Sequence, residues 1–182
     1  MASTMTKDAG GDVEPLPNRR MDRALIAALR IGVAVLWIQN TGWKRPPDFG
    51  EDSGRGLYMW TKFAVDREVF APYAWFVEHV VLPNFTLFGW LTLIVEASLG
   101  AFLLVGLATR LWAAVGVAQS LAIMLSVLKA PHEWHWSYFL MILAHLVIFA
   151  TAAGRTAGLD GVLRPRWRQS KSKAARLLMR AS

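Results

Sequence analysis

Glu96, Gln119 and His145 sit inside long apolar runs, where polar side chains are costly to keep. An ionisable group in the middle of a membrane helix costs about 2.5–3.5 kcal/mol on insertion scales, so it needs a partner or a purpose. Glu96 can accept or donate a proton and His145 can relay one, which is the chemistry of general acid–base catalysis. Around a buried ligand such as a quinone headgroup, the three would form a polar layer that binds and exchanges protons. The same layer also reads as a satisfied structural cluster. Interhelical hydrogen bonds hold membrane helices together at about 0.6–2 kcal/mol each. A carboxyl is the costliest of the three to bury, so Glu96 carries the functional reading furthest.

A second group lies in KAPHEWHWSYF, residues 129–139. His132 and His135 share a helix face if the helix begins at Pro131, with Glu133 between them. Two imidazoles and a carboxylate suit a metal. The spacing is not HExxH and no further ligand lies nearby, so no metal is expected. The default reading is an interfacial aromatic belt of Trp134, Trp136 and Tyr138. A quinone or a partner subunit meeting this belt is the alternative, with Glu78 and His79 close to it.

The elements that must carry these residues are visible as four apolar stretches, at about 24–43, 85–108, 111–128 and 134–153. Each is near the roughly 20 residues that span a hydrocarbon core. Helix is forced, because lipid offers no partner to a free backbone N–H or C=O. The expected fold is all-α and integral to the membrane: a four-transmembrane-helix bundle. Residues 1–20 read as a disordered tail without a cleavable signal, 21–163 as the membrane domain and 164–182 as a basic cytoplasmic tail. The link between the first two spans, from Lys44 to Asn84, carries aromatic and aliphatic residues at helical spacing. It reads as one or two outer amphipathic helices interrupted at Pro72.

Composition agrees with the membrane class. Of the 182 residues, 54% are hydrophobic and only 18% charged, and the apolar ones are clumped. With no Cys, disulfides, thiol redox chemistry and sulfur-ligated metals are excluded. Seven Lys and Arg fall between Arg164 and Arg180, with no acid among them. Directly after a hydrophobic segment, such a tail suits anionic lipid headgroups better than nucleic acid. Arg19, Arg20 and Arg23, then Arg110, then this tail fall on one side if four spans are counted. The positive-inside rule makes that side, with both termini, cytoplasmic.

Span one reads RIGVAVLWIQNTGWK, span two EASLGAFLLVGLATR, and span four ends AGRTAGLD. In this order the motifs resemble the DoxX/DoxD-like family, which includes the small subunit of thiosulfate:quinone oxidoreductase. The resemblance covers about 23–160. It implies a four-helix bundle in a prokaryotic cytoplasmic membrane, working beside a quinone pool with other redox subunits. By position, Arg30, Gly42, Lys44, Glu96, Arg110, Gly154, Arg155 and Asp160 match recurring family residues. Arg155 and Asp160 also have a structural reading. Gly154 and Gly158 can end the last span, and the pair can tie the chain end to the Arg110 turn.

The expectation is therefore a membrane subunit of a quinone-linked oxidoreductase or respiratory complex. Glu96 and His145 are its catalytic candidates, and Arg30, Trp43, Lys44, His132, Glu133 and His135 its quinone-contacting candidates. No flavin motif is present, so electrons would come from another subunit or from substrate. The alternative is a non-catalytic accessory subunit of a respiratory or photosynthetic assembly. A transporter comes third, because four unbroken spans leave little room for alternating access.

Overall fold

A computed structural model describes residues 20–182; the tail expected at residues 1–20 lies outside them except for Arg20, which begins the first helix. The described residues are all helical, with no strands. The helices are α1 (Arg20–Thr41), α2 (Gly56–Asp66), α3 (Ala71–Phe76), α4 (Phe85–Val105), α5 (Thr109–Val127), α6 (His135–Thr151), α7 (Leu159–Gln169) and α8 (Lys173–Ala181). Among them, two helical stretches are long and apolar enough to cross a membrane: Ala71–Val105 and Thr109–Val127. His135–Thr151 is apolar but shorter.

The four long helices form a closed ring in which α1 packs on α4, α4 on α5, α5 on α6 and α6 back on α1. Fully buried Ala34, Leu99, Leu103, Ala113, Ile148 and Ala153 fill its centre. Gly100 lets α4 approach α1: a Cβ there would meet Ile38 and the Ala34 carbonyl. Removing a side chain at such a crossing is a common route to close helix contact.

The link after α1 holds two helices that break just before Pro72, but the second runs on into α4 where a separate amphipathic piece is expected. Helix α2 ends before Pro72, and Pro72 occupies the first turn of α3, where its missing N–H is not needed. From α3 the chain stays helical into α4. It passes through a π turn at Val77–Val81 and a 3-10 turn at Leu82–Asn84. The 35-residue stretch Ala71–Val105 therefore extends well before the expected start of the second span. The widened and tightened turns absorb Pro83, which cannot donate to the helix ladder.

The turn between α4 and α5 is built from three distant pieces. Gly106 ends α4 in the left-handed conformation (φ 69°), and its N–H bonds the Phe102 carbonyl at 2.9 Å. Ala108, at the start of α5, has no side-chain acceptor for the first free N–H groups. Asp160 supplies one from beyond α6. Its carboxylate accepts the N–H of Ala108 at 2.8 Å and of Thr109 at 2.9 Å. A carboxylate at a helix N-terminus is favoured by both hydrogen bonding and the helix dipole.

At the chain end the expected helix stop at Gly154 is corrected, and of the two residues expected to tie this segment to the Arg110 turn Asp160 does so and Arg155 does not. Helix α6 ends with Ala152 in the left-handed conformation, not at Gly154. Gly154 instead lies under Thr109 and Asp160, where a Cβ has no room. Arg155 does not pair with Asp160. Its guanidinium donates to the Ser182 carbonyl at 2.9 Å, an acceptor that also receives Arg164. The basic segment is thus two helices, α7 and α8, with α8 resting on α5 and Ala175 buried.

Candidate functional site

A cavity of about 1030 Å³ lies within the ring, toward the end that carries the α5–α6 turn. Every long helix contributes to its wall: Trp37 and Asn40 from α1, Glu96 from α4, Gln119 and Ser126 from α5, and Tyr138 and His145 from α6. Trp60 of α2 and Tyr73 of α3 cover it. Most of the remaining lining is apolar. Leu36 and Leu140 line it while exposed on the ring's exterior, so the cavity reaches the surface between α1 and α6.

Its charged centre is an ion pair that joins two ends of the sequence motif set. Lys44 Nζ lies 2.5 Å from Glu96 Oε2, and both side chains are almost fully buried, at 2% and 1% exposure. Lys44 follows α1 and reaches back along it. Its ammonium also donates to the Asn40 carbonyl at 2.9 Å and lies 4.4 Å from the Trp43 ring centre. Gln119 Nε2 donates to the other Glu96 oxygen at 3.2 Å. Pairing of this kind is what a carboxylate in a low-dielectric interior requires. One ammonium proton remains uncommitted, because lysine has three and two acceptors are engaged.

His145 occupies the opposite wall with a defined hydrogen-bond pattern. Trp37 Nε1 donates to His145 Nε2 at 2.9 Å. Nδ1 lies 2.7 Å from the Met141 carbonyl. An indole N–H only donates and a carbonyl only accepts, so the ring is neutral with its proton on Nδ1. Gly116 of α5 leaves space for the ring: a Cβ there would overlap it. Glu96 and His145 line one cavity, but their hydrogen bonds go to different partners.

The remaining sequence candidates divide. Trp43 and Glu133 line the cavity, and Tyr138 donates its hydroxyl proton to Glu133 Oε2. Arg30 is elsewhere. It is fully buried at the opposite end of the ring, where it donates to the carbonyls of Leu103, Leu104 (2.7 Å) and Ala157 (2.9 Å). It satisfies acceptors that the end of α4 leaves free. His132 and His135 share no helix face, since α6 begins at His135 and His132 sits in the preceding turn with φ 64°. Both are exposed and neither lines the cavity. Among the described residues, no three His, Asp or Glu gather as a metal site.

Sequence reasoning missed Trp37, Asn40, Tyr73 and Tyr138 as polar cavity wall. Each is an amphipathic or amide side chain within an otherwise apolar helix, which is the signal that could have found them.

The architecture defines an all-helical protein with membrane-length apolar helices and a charged pair inside a large cavity. The chain belongs to the DoxD family, described as TQO small subunit DoxD, which it matches over residues 56–181. TQO is thiosulfate:quinone oxidoreductase, so the family links the chain to quinone chemistry and to further subunits. The match begins at α2, so the span-one motif with Arg30, Trp37 and Lys44 precedes it. No curated protein and no solved structure matches the chain.

Proposed function

We propose that this chain is a four-pass subunit of a thiosulfate:quinone oxidoreductase in a prokaryotic cytoplasmic membrane, and that its cavity receives the quinone. Helices α1, α4, α5 and α6 are the four spans, with both termini cytoplasmic. The carrying observation is the buried Lys44–Glu96 pair facing an apolar cavity that reaches the ring surface between α1 and α6. A quinone needs both features. Its isoprenoid tail stays in lipid while its two oxygens enter a polar site.

The roles follow from the hydrogen bonds. Lys44 offers its free ammonium proton to one quinone oxygen and stabilises charge that develops there on reduction. Glu96, held by Lys44 and Gln119, accepts and returns protons beside it. His145, held by Trp37 and Met141, orients the far wall. Trp43 and Glu133 border the site. Arg30, His132 and His135 fall outside this assignment, because none of them lines the cavity. Two electrons from thiosulfate, delivered through a partner subunit, and two protons convert quinone to quinol. Anionic lipids meet the basic α7–α8 segment.

The rival reading is an accessory subunit without chemistry of its own. Its support is the closed hydrogen bonding of His145, which leaves neither ring nitrogen free. Purification in mild detergent, followed by thiosulfate-dependent quinone reduction with a Glu96→Gln variant, separates the two. Turnover falling at least tenfold in an intact complex supports catalysis at Glu96. Unchanged turnover with normal assembly rejects it.

A further inference from the structure

We infer that protons for quinone reduction enter from the outer face through a two-residue relay, Glu133 to Tyr138, and not from the cytoplasm. This rests on the assignment of the cavity to quinone. Lys44 and Glu96 can serve a bound oxygen, but both are closed off from water. A site that consumes protons on every turnover needs a connection to bulk.

Among the described residues, the cytoplasmic side shows no connected polar path, and the buried hydroxyls of Thr109 and Ser120 have no hydrogen-bond partner that would link them into one. Between the cavity and Arg30 lie Ala34, Leu99, Leu103 and Ile148, each fully buried and without a polar side-chain atom. Arg30 itself is permanently charged and is spent on three backbone carbonyls, so it cannot carry a proton inward. Beyond it, both Asp160 oxygens hold backbone N–H groups.

The outer side offers a short path. Tyr138 is buried and lines the cavity, and its hydroxyl is bonded to Glu133. Glu133 lies in the α5–α6 turn, lines the same cavity and is half-exposed. A hydroxyl can give one proton while taking another, so the pair joins the cavity wall to water. In the step, the Tyr138 O–H bond breaks toward the reduced quinone oxygen, and protonated Glu133 reprotonates the phenolate. Glu133 then takes a proton from outer water. One passage protonates the oxygen beside Tyr138; the Lys44–Glu96 pair gives the other oxygen its proton and regains it by a second passage, and thiosulfate supplies both electrons.

The test uses the assembled oxidoreductase in right-side-out vesicles, with quinone reduction started by thiosulfate. Glu133→Gln keeps an acceptor for Tyr138 but cannot carry a proton. The expected result is a tenfold or greater fall in kcat with little change in KM, and partial rescue by added formate as a small diffusible acid. Tyr138→Phe should show the same fall without rescue. A trapped pH dye should report no alkalinisation of the vesicle interior during wild-type turnover. Wild-type rates in both variants, or interior alkalinisation matched to quinol formed, would overturn the relay. A photoreactive quinone analogue separates the two levels of failure. Labelling of α1 or α6 beside Leu36 and Leu140 upholds the cavity assignment whatever the relay does. Labelling elsewhere overturns the assignment and the relay together.

Discussion

Lys44 and Glu96 meet as a buried ion pair although one follows the end of α1 and the other lies in the middle of α4. The antiparallel register explains it. Arg30 reaches Leu103 and Leu104 at one end, Gly100 faces Ile38 in the middle, and Lys44 reaches Glu96 toward the other. Helix α4 begins well beyond the end of α1 on that side, so mid-helix in one is helix end in the other.

Breaking that pair from one side should be far worse than removing it. Lys44→Met strands a carboxylate, at a cost of about 3–5 kcal/mol. The double variant Lys44→Met/Glu96→Gln should recover most of that loss. Thermal unfolding of the four proteins in detergent measures the coupling, and strict additivity would count against the pair.

The His145 wall predicts a packing effect. Gly116→Ala pushes a methyl group into the imidazole and should destabilise by about 1–3 kcal/mol. Trp37→Phe removes the donor to Nε2 and leaves it unpaired, at a cost of about 1–3 kcal/mol. Denaturation midpoints check both, and Trp37→Phe should also weaken binding of a quinone analogue.

Arg30 should separate stability from substrate binding. Arg30→Met leaves three carbonyls without their donor, of which that of Leu103 is buried, and an unmet buried acceptor costs about 1–3 kcal/mol. Because Arg30 does not line the cavity, the KM for quinone should stay at the wild-type value in whatever fraction remains folded. A raised KM would return Arg30 to the binding site.

Asp160→Asn keeps one carbonyl oxygen where two carboxylate oxygens now receive N–H groups. A hydrogen bond to a charged group contributes about 1.5–3 kcal/mol. The variant should therefore unfold earlier and expose the α7–α8 segment to protease. Cleavage at the wild-type rate would contradict this.

How much of this was legible beforehand depends on the scale at which residues act. The four long helices follow the apolar runs closely, since hydrophobic clustering is a local property. Glu96 and Gln119 were legible as a polar layer for the same reason. Lys44 was visible only as part of Gly-Trp-Lys. Its partner depends on helix register, which no single span encodes. Arg30 was read as a quinone contact from the span-one motif, whereas its acceptors come from α4 and from the segment after α6. The pairing of His132 with His135 assumed that Pro131 starts the helix. The left-handed backbone at His132 moves that start to His135 and separates them.

The Asp160 contact bears on how the protein is made. The α4–α5 hairpin is complete in sequence long before Asp160 leaves the ribosome, yet the first N–H groups of α5 have no other side-chain cap. The α4–α5 turn is therefore capped only once the segment after α6 has folded back onto it. Asp160 thus makes the cap of α5 conditional on the placement of the chain beyond α6, a dependence between distant segments that neither helix carries alone.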